Sequence, residues 1–157
     1  MTNMQTIKDA LIPLAELIAS LDLTDPVAAE AALNSAASPS NLTDLESLLR
    51  DAHSAGWLTP RRATPSLTFG RVSKAVKETS NQSIDIVDIA GPGAEHTHPN
   101  GEVSLCFHLE GTPRFEDHGP GWVVLGPDSH HTPTVENGRM LIVYFQPGGA
   151  VKWGPRS

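Results

Sequence analysis

From Pro65 onward the sequence breaks into short runs of β-forming residues, each closed by Gly, Pro or Asn: Leu67–Val72, Ser83–Ala90, Glu102–Glu110, Trp122–Leu125, His131–Glu136, Arg139–Phe145 and Val151–Trp153. Such regular spacing predicts a β-sandwich or small barrel. The sharpest local signal is Asn137-Gly138, two residues that tolerate the positive φ of a type I′ hairpin turn. A two-residue turn there sets a register: Glu136 opposite Arg139, Val135 opposite Met140 and His131 opposite Tyr144. Directly opposed residues have Cβ atoms about 4.5–5.5 Å apart. One face then carries His131, Pro133, Val135, Met140, Ile142 and Tyr144, an apolar pocket wall with two polar groups at one end.

The first 60 residues follow a different period. Leu11, Leu14, Ala15 and Ile18, and later Leu45, Leu48, Leu49 and Ala52, recur at the i, i+3, i+4, i+7 spacing of a helix with one buried side. Three helices are expected, over 6–22, 26–36 and 43–55. Asp25-Pro26 reads as a cap followed by proline at the first helical position, Thr43 and Glu46 have capping-box spacing, and Gly56 can close the last helix. Pro13 opposes the first helix and should kink it or mark its true start. Residues 1–60 hold two basic side chains against eight acidic ones, a net of −6, while the remainder is nearly neutral. The acidic outer face reads as solvated surface.

With 157 residues, 39% hydrophobic content and a net charge of −7, the chain reads as one domain. No window approaches the roughly 18 apolar residues of a membrane span, and Met1 to Lys8 lacks the plan of a signal peptide, so a cytoplasmic protein is expected. The single cysteine, Cys106, excludes a disulfide scaffold and a cysteine-based zinc cluster, and reads as a small core residue. An acidic balance supplies no basic stripe for phosphates, which points away from nucleic acid and toward a small molecule. The alternating run Val103, Leu105, Phe107, Leu109 has an apolar face, opposite the Glu102 side, that helices, another sheet or a second subunit must cover; a homodimer is expected.

The chemistry concentrates where the histidines do: six of the seven fall between His96 and His131. Within Gly91-Pro-Gly-Ala-Glu-His96-Thr-His98-Pro-Asn-Gly-Glu102 lies an H-x-H-x3-E spacing. Two histidines two apart on an extended chain point the same way, and a carboxylate a short turn later can reach the same ion. His131, in Gly126-Pro-Asp-Ser-His-His131, completes the set from another strand, while His130 points to the opposite side. Imidazole with carboxylate suits a divalent Fe, Mn, Ni, Cu or Zn ion. Glu102 has the alternative of merely opening a strand. Cys106 and His108 share its face and become pocket residues if the strand is regular; His53 and His118 read as surface.

These two segments resemble the paired motifs of the cupin superfamily, which implies a mainly β fold: a double-stranded β-helix barrel over 64–155 with an N-terminal α-helical subdomain over 1–60. Gly111 lies nine residues after Glu102, where the motif usually has seven, and Asp128 holds the glycine position of the second motif, where a left-handed residue is needed. A narrower resemblance covers nearly the whole chain. Ala55-Gly-Trp57-Leu-Thr-Pro60, His98-Pro-Asn-Gly-Glu102, Arg114-Phe115 to Gly119-Pro-Gly-Trp122-Val-Val, His131-Thr-Pro-Thr-Val135 and Tyr144-Phe-Gln-Pro-Gly-Gly are similar to the bacterial 4-hydroxylaminobenzoate lyases.

That resemblance implies conversion of 4-hydroxylaminobenzoate to 3,4-dihydroxybenzoate and ammonia in nitroaromatic breakdown. The reaction needs no nicotinamide, and the chain has no G-x-G-x-x-G or P-loop motif. It does need a proton for the departing oxygen, an activated water and a grip on the ring carboxylate. The candidates are Tyr144, Glu110 and His108 near the metal for proton transfer, Arg71 or Arg114 for the carboxylate, and Met140 and Ile142 against the ring. Two other classes stand beside the lyase: another metal-dependent cupin enzyme, such as a dioxygenase or isomerase, and a non-catalytic cupin that binds a small effector.

Overall fold

The computed structural model describes residues 2–156; Met1, at the head of the opening segment, and Ser157 lie outside them. The three expected helices form as α1 (Met4–Ala19), α2 (Pro26–Ala36) and α3 (Thr43–Ser54). Asn3 caps α1, which starts two residues before the expected position 6, its side chain accepting from the Thr6 amide at 3.0 Å. Pro13 neither starts nor ends this helix but lies within it, without the N–H that would donate to the Asp9 carbonyl. Asp25 caps α2 by accepting from the Ala28 amide at 3.2 Å. Thr43, in contrast, is no cap: α3 begins on it, after Leu42, with Asp44 and Glu46 in the first turn where carboxylates suit the helix dipole.

Among the described residues nine strands follow: β1 (Arg61–Thr64), β2 (Leu67–Ser73), β3 (Gln82–Ile89), β4 (His96–His98), β5 (Glu102–Phe115), β6 (Gly121–Leu125), β7 (Ser129–His131), β8 (Val135–Pro147) and β9 (Lys152–Trp153). Six form a large antiparallel sheet in the order β1-β2-β3-β8-β5-β6, and three form a small one in the order β7-β4-β9. The large sheet is buried on both faces. On its outer face Ile84, Ile86, Leu105, Leu141, Val143 and Phe145 share one core with Ile7, Leu11, Ile18, Leu33 and Leu49 of the helices. On its inner face Val87, Cys106, Phe115, Val135, Met140, Ile142 and Tyr144 form a second core.

Two polar ties fix the helices to the sheet. The Trp122 indole N–H donates to the Ala37 carbonyl at 2.7 Å, and His53 on α3 meets Asp88 on β3 at 2.8 Å. His53 is thus half-buried at a contact rather than a free surface residue, since the same helix face that buries Leu49 and Ala52 lays it against the sheet. Val103, Leu105 and Phe107 are covered by the helices of their own chain, which removes the ground for expecting a homodimer. Among the described residues no helix is long and apolar enough to cross a membrane.

The hairpin expected at Asn137-Gly138 does not form. Both residues have positive φ, 63° and 153°, yet β8 runs straight through them as one strand of 13 residues. The same backbone freedom serves a bulge instead: β8 pairs with β5 along its length, and the register slips between His108 and Glu110 and again between Gly111 and Arg114. At this crossing Gly111, with φ 72°, lies opposite Gly138 rather than closing a strand. The two backbones approach so closely that a Cβ on Gly111 would fall 2.5 Å from the Asn137 oxygen, and one on Gly138 would collide with the Glu110 carbonyl. His131 therefore faces His96 on β4, and Tyr144 faces Asp85 and Ser104. Met140, Ile142 and Tyr144 keep the common face that alternation gave them, because their parity does not depend on the turn.

Gly138→Ala should consequently lower stability by about 1–3 kcal/mol in a denaturant titration. Gly119→Ala, at a position with nothing within 4 Å of the new methyl group, should stay within about 0.5 kcal/mol of the parent. Equal effects at the two sites would contradict the close crossing.

Candidate active site

Alternation along β4 turns His96 and His98 to one side, with Thr97 on the other. Antiparallel pairing with β7 then sets His131 opposite His96 and His130 opposite Thr97. Asp128 makes this possible: its φ of 63° gives the left-handed residue the turn requires, and its amide donates to the His98 carbonyl at 2.7 Å. His130 points away, as expected, between the Thr97 hydroxyl at 2.6 Å and the Glu95 carboxylate at 2.8 Å.

The three remaining imidazoles bring their Nε2 atoms together: 2.8 Å between His96 and His98, 3.0 Å between His98 and His131, and 3.2 Å between His131 and His96. For two of them the other nitrogen fixes the proton, whereas His98 Nδ1 is buried without a partner among the described residues. His96 Nδ1–H donates to the Ala94 carbonyl at 2.7 Å and His131 Nδ1–H to the Glu116 carboxylate at 2.7 Å, so both Nε2 atoms face the common centre as bare lone pairs. Burial holds His96 below the ordinary imidazole value and, with the neighbouring imidazoles adding to it, pushes His98 down to about 3. A converging set of neutral donors is electrostatically unfavourable by itself and favourable around a cation. Three ligands at right angles on an ion with bonds of about 2.1 Å lie roughly 3.0 Å apart, so the donor set fits one divalent ion.

Glu102 opens β5 on the large sheet and closes the cluster from that side, Oε2 lying 3.4 Å from His98 Nε2. It is no idle strand opener. Ser104 donates to its Oε1 at 3.2 Å and Gln146 to its Oε2 at 2.8 Å, in a setting that leaves it 1% exposed. Burial pushes its carboxyl up to about 7, against the opposing effects of the Gln146 hydrogen bond and the His131 ring.

A cavity of about 500 Å³ opens from this cluster. His96, Glu102, Tyr144 and Gln146 line its inner end, Leu67, Phe69 and Val87 its floor, and Trp153 its rim, with the indole 5.1 Å from the His96 ring. Tyr144 is buried, and its hydroxyl has no hydrogen-bond partner among the described residues. Burial, then the Glu102 carboxylate, hold its phenol well above the ordinary value. Phe115 stands between Tyr144 and His131, its ring 6.2 Å from one and 6.3 Å from the other.

The other expected site residues divide by position. Arg71 lines the cavity but is held by Asp85 in a forked pair of 2.9 and 3.0 Å. Met140 and Ile142 are fully buried behind the wall and do not reach the open space. His108, Glu110 and Arg114 lie off the cavity, because β5 crosses β8 there and its bulges carry them to solvent. His108 meets the Gly111 carbonyl at 2.8 Å, Glu110 meets Arg139 at 3.5 Å, and Arg114 donates to the Asp117 carbonyl. Sequence reasoning missed Glu116, Gln146, Arg61 and the placement of Trp153. Gln146 was accessible to it, two residues beyond Tyr144 on the same strand; Glu116 sits at a positive-φ turn that no pattern announces.

Two antiparallel sheets enclosing a cavity, with three histidines on the small sheet and a glutamate on the large one, define a cupin barrel. The chain belongs to the 4-hydroxylaminobenzoate lyase family (PnbB), whose sequence profile matches residues 13–153. It is similar to a 4-hydroxylaminobenzoate lyase of Pseudomonas putida, 26% identical over 126 residues that cover 69% of this chain and 72% of the relative. A second protein of that name, from Nocardioides sp. (strain LMS-CY), is 29% identical over 115 residues, covering 68% of each. Among solved structures it is similar to an RmlC-like cupin protein of Ralstonia eutropha JMP134, at 15% identity and a TM-score of 0.44, over 59% of this chain and 62% of that one.

Because Glu116 orients His131 through the ring nitrogen away from the cluster, Glu116→Ala should lower affinity for an added divalent ion about 10- to 100-fold, read by competition with a chelating dye. Unchanged affinity would contradict the role of Glu116.

Proposed function

We propose that the chain is an ammonia-releasing lyase that converts 4-hydroxylaminobenzoate to 3,4-dihydroxybenzoate. The observation that carries this reading is one cavity that combines three kinds of surface: a donor cluster suited to a divalent ion, an apolar floor of Leu67, Phe69 and Val87, and exposed arginine side chains. Membership of a lyase family supports this reaction.

The overall change consumes one water and needs no external oxidant. One N–O and one C–N bond break, two ring C–O bonds form, the ring carbon beside the nitrogen-bearing one loses a proton, and nitrogen leaves as ammonia. Nitrogen gains the two electrons that the ring loses. His96, His98 and His131, with Glu102 as fourth ligand, would hold a divalent ion, which when bound supplies Lewis-acid polarisation of oxygen or a water of lowered pKa.

The chain's own residues do the rest. Tyr144, buried and unpartnered, keeps its proton at neutral pH and offers it to the departing N-hydroxyl oxygen. Gln146 and Ser104 hold Glu102 in one orientation. Leu67, Phe69 and Val87 receive the ring, and Trp153 limits water access from above. Glu110, His108 and Arg114 take no part, since none lines the cavity.

Anaerobic incubation with 4-hydroxylaminobenzoate should yield equal amounts of ammonia and 3,4-dihydroxybenzoate. Dependence on oxygen would instead identify a dioxygenase, and absence of turnover with any hydroxylaminoarene an effector-binding cupin. His98→Ala should lose metal content and turnover together, and full activity in a metal-free preparation would defeat the metal's role. Tyr144→Phe should lower kcat more than it raises KM, because its proton is used in the transition state. An unchanged kcat would remove the phenol from the mechanism.

A further inference from the structure

The cavity's two arginines are not equivalent, and the difference singles out one of them. Arg71 on β2 spends its guanidinium on Asp85, which reaches it from the neighbouring strand β3 with both carboxylate oxygens. A planar fork already occupied by one carboxylate has little left for a second. Arg61, on the edge strand β1, also lines the cavity, and it has neither a carboxylate nor a hydrogen-bond acceptor among the described residues. Alternation explains its direction. Arg61 and Ala63 both line the cavity, while Arg62 between them turns out to the Thr64 and Pro65 carbonyls at 3.4 and 3.0 Å. Arg61 pairs with Phe69, a floor residue, which places the free guanidinium beside the surface that receives the ring.

We propose that Arg61 is the carboxylate anchor of this cavity, taking the ring carboxylate of an aromatic acid in a forked pair while the para substituent points to the histidine cluster. This rests on the reading of the cavity as a site for a hydroxylaminobenzoate. The cavity's two acidic side chains already have partners: Asp85 is neutralised by Arg71, and Glu102 is held by Ser104 and Gln146. The incoming carboxylate therefore meets one uncompensated cation at the mouth. Arg61 is exposed, so it can collect the carboxylate from water before the ring is buried. Arg114 cannot share the task, because it lies off the cavity with its guanidinium on the Asp117 carbonyl.

The test separates the anchor from the reaction by measuring binding without turnover. The full-length, metal-loaded protein is titrated calorimetrically with 4-aminobenzoate, which lacks the N–O bond, and with its neutral isostere 4-aminobenzamide. The parent should prefer the acid. Arg61→Gln should weaken binding of the acid roughly 10- to 100-fold and leave the amide unchanged, the loss expected of one charge-assisted pair. Arg61→Lys should recover part of it, and Arg114→Gln should bind both compounds as the parent does. Unchanged affinity of Arg61→Gln for the acid, an equal loss for acid and amide, or no binding of the acid by the parent would overturn the proposal. A chain that binds the acid through Arg61 yet releases no ammonia from 4-hydroxylaminobenzoate keeps the anchor and loses the lyase reading; turnover with an unchanged KM in Arg61→Gln does the reverse.

Discussion

Three imidazole nitrogens meeting within 3.2 Å of one another inside a protein wall are the constraint around which the rest is arranged. They converge because two short strands hold them, because Ala94 and Glu116 accept the opposite ring protons of His96 and His131, and because burial holds His96 and His98 below the ordinary imidazole value. Neutral donors in a dry setting have much to gain from a cation and little from each other. The surrounding fold supplies the rigidity that such a set requires. The small sheet carries the histidines, the large sheet sets Glu102, Tyr144 and Gln146 opposite them, and the helices bury the large sheet's outer face.

The helices thus serve the site at second hand. None of their side chains lines the main cavity, yet Trp122, Asp88 and the apolar residues of β3, β5 and β8 are held from behind by α1, α2 and α3. The acidic surplus of the first 60 residues lies on this outer layer. At the cavity Arg71 and Asp85 form a matched pair and Glu102 is held by the neutral Ser104 and Gln146, while Arg61 has no carboxylate partner among the described residues.

Most of the architecture was legible because it rests on period. The 3.6-residue stripes located the first and third helices and Asp25-Pro26 the second, while two-residue alternation put Cys106 with Glu102, Val103 on the opposite, apolar face, and Tyr144 with Met140 and Ile142. The H-x-H spacing gave two of the three clustered imidazoles, and the distant His131 followed from the second motif. Asn137-Gly138 misled because positive φ is a permission shared by hairpin turns and bulges; only the long-range approach of Gly111 chose between them. His108 and Glu110 were lost at the same crossing, where the strand keeps its pairing but no longer its face. Met140 and Ile142 have the predicted face but stand one layer too deep. Glu116 and Arg61 reach their places through turn geometry and pairing partners distant in sequence, which periodicity does not encode.

The central claim is that His96, His98 and His131 together hold one divalent ion at the head of the cavity. X-ray absorption at the edge of the ion carried by the purified protein tests it most directly, since imidazole rings scatter with a signature that oxygen ligands lack. The expected spectrum has three imidazole nitrogens per ion at about 2.1 Å, completed by oxygen, and two in the His131→Ala variant. A spectrum fitted by oxygen ligands alone, or one unchanged by His131→Ala, would contradict the claim.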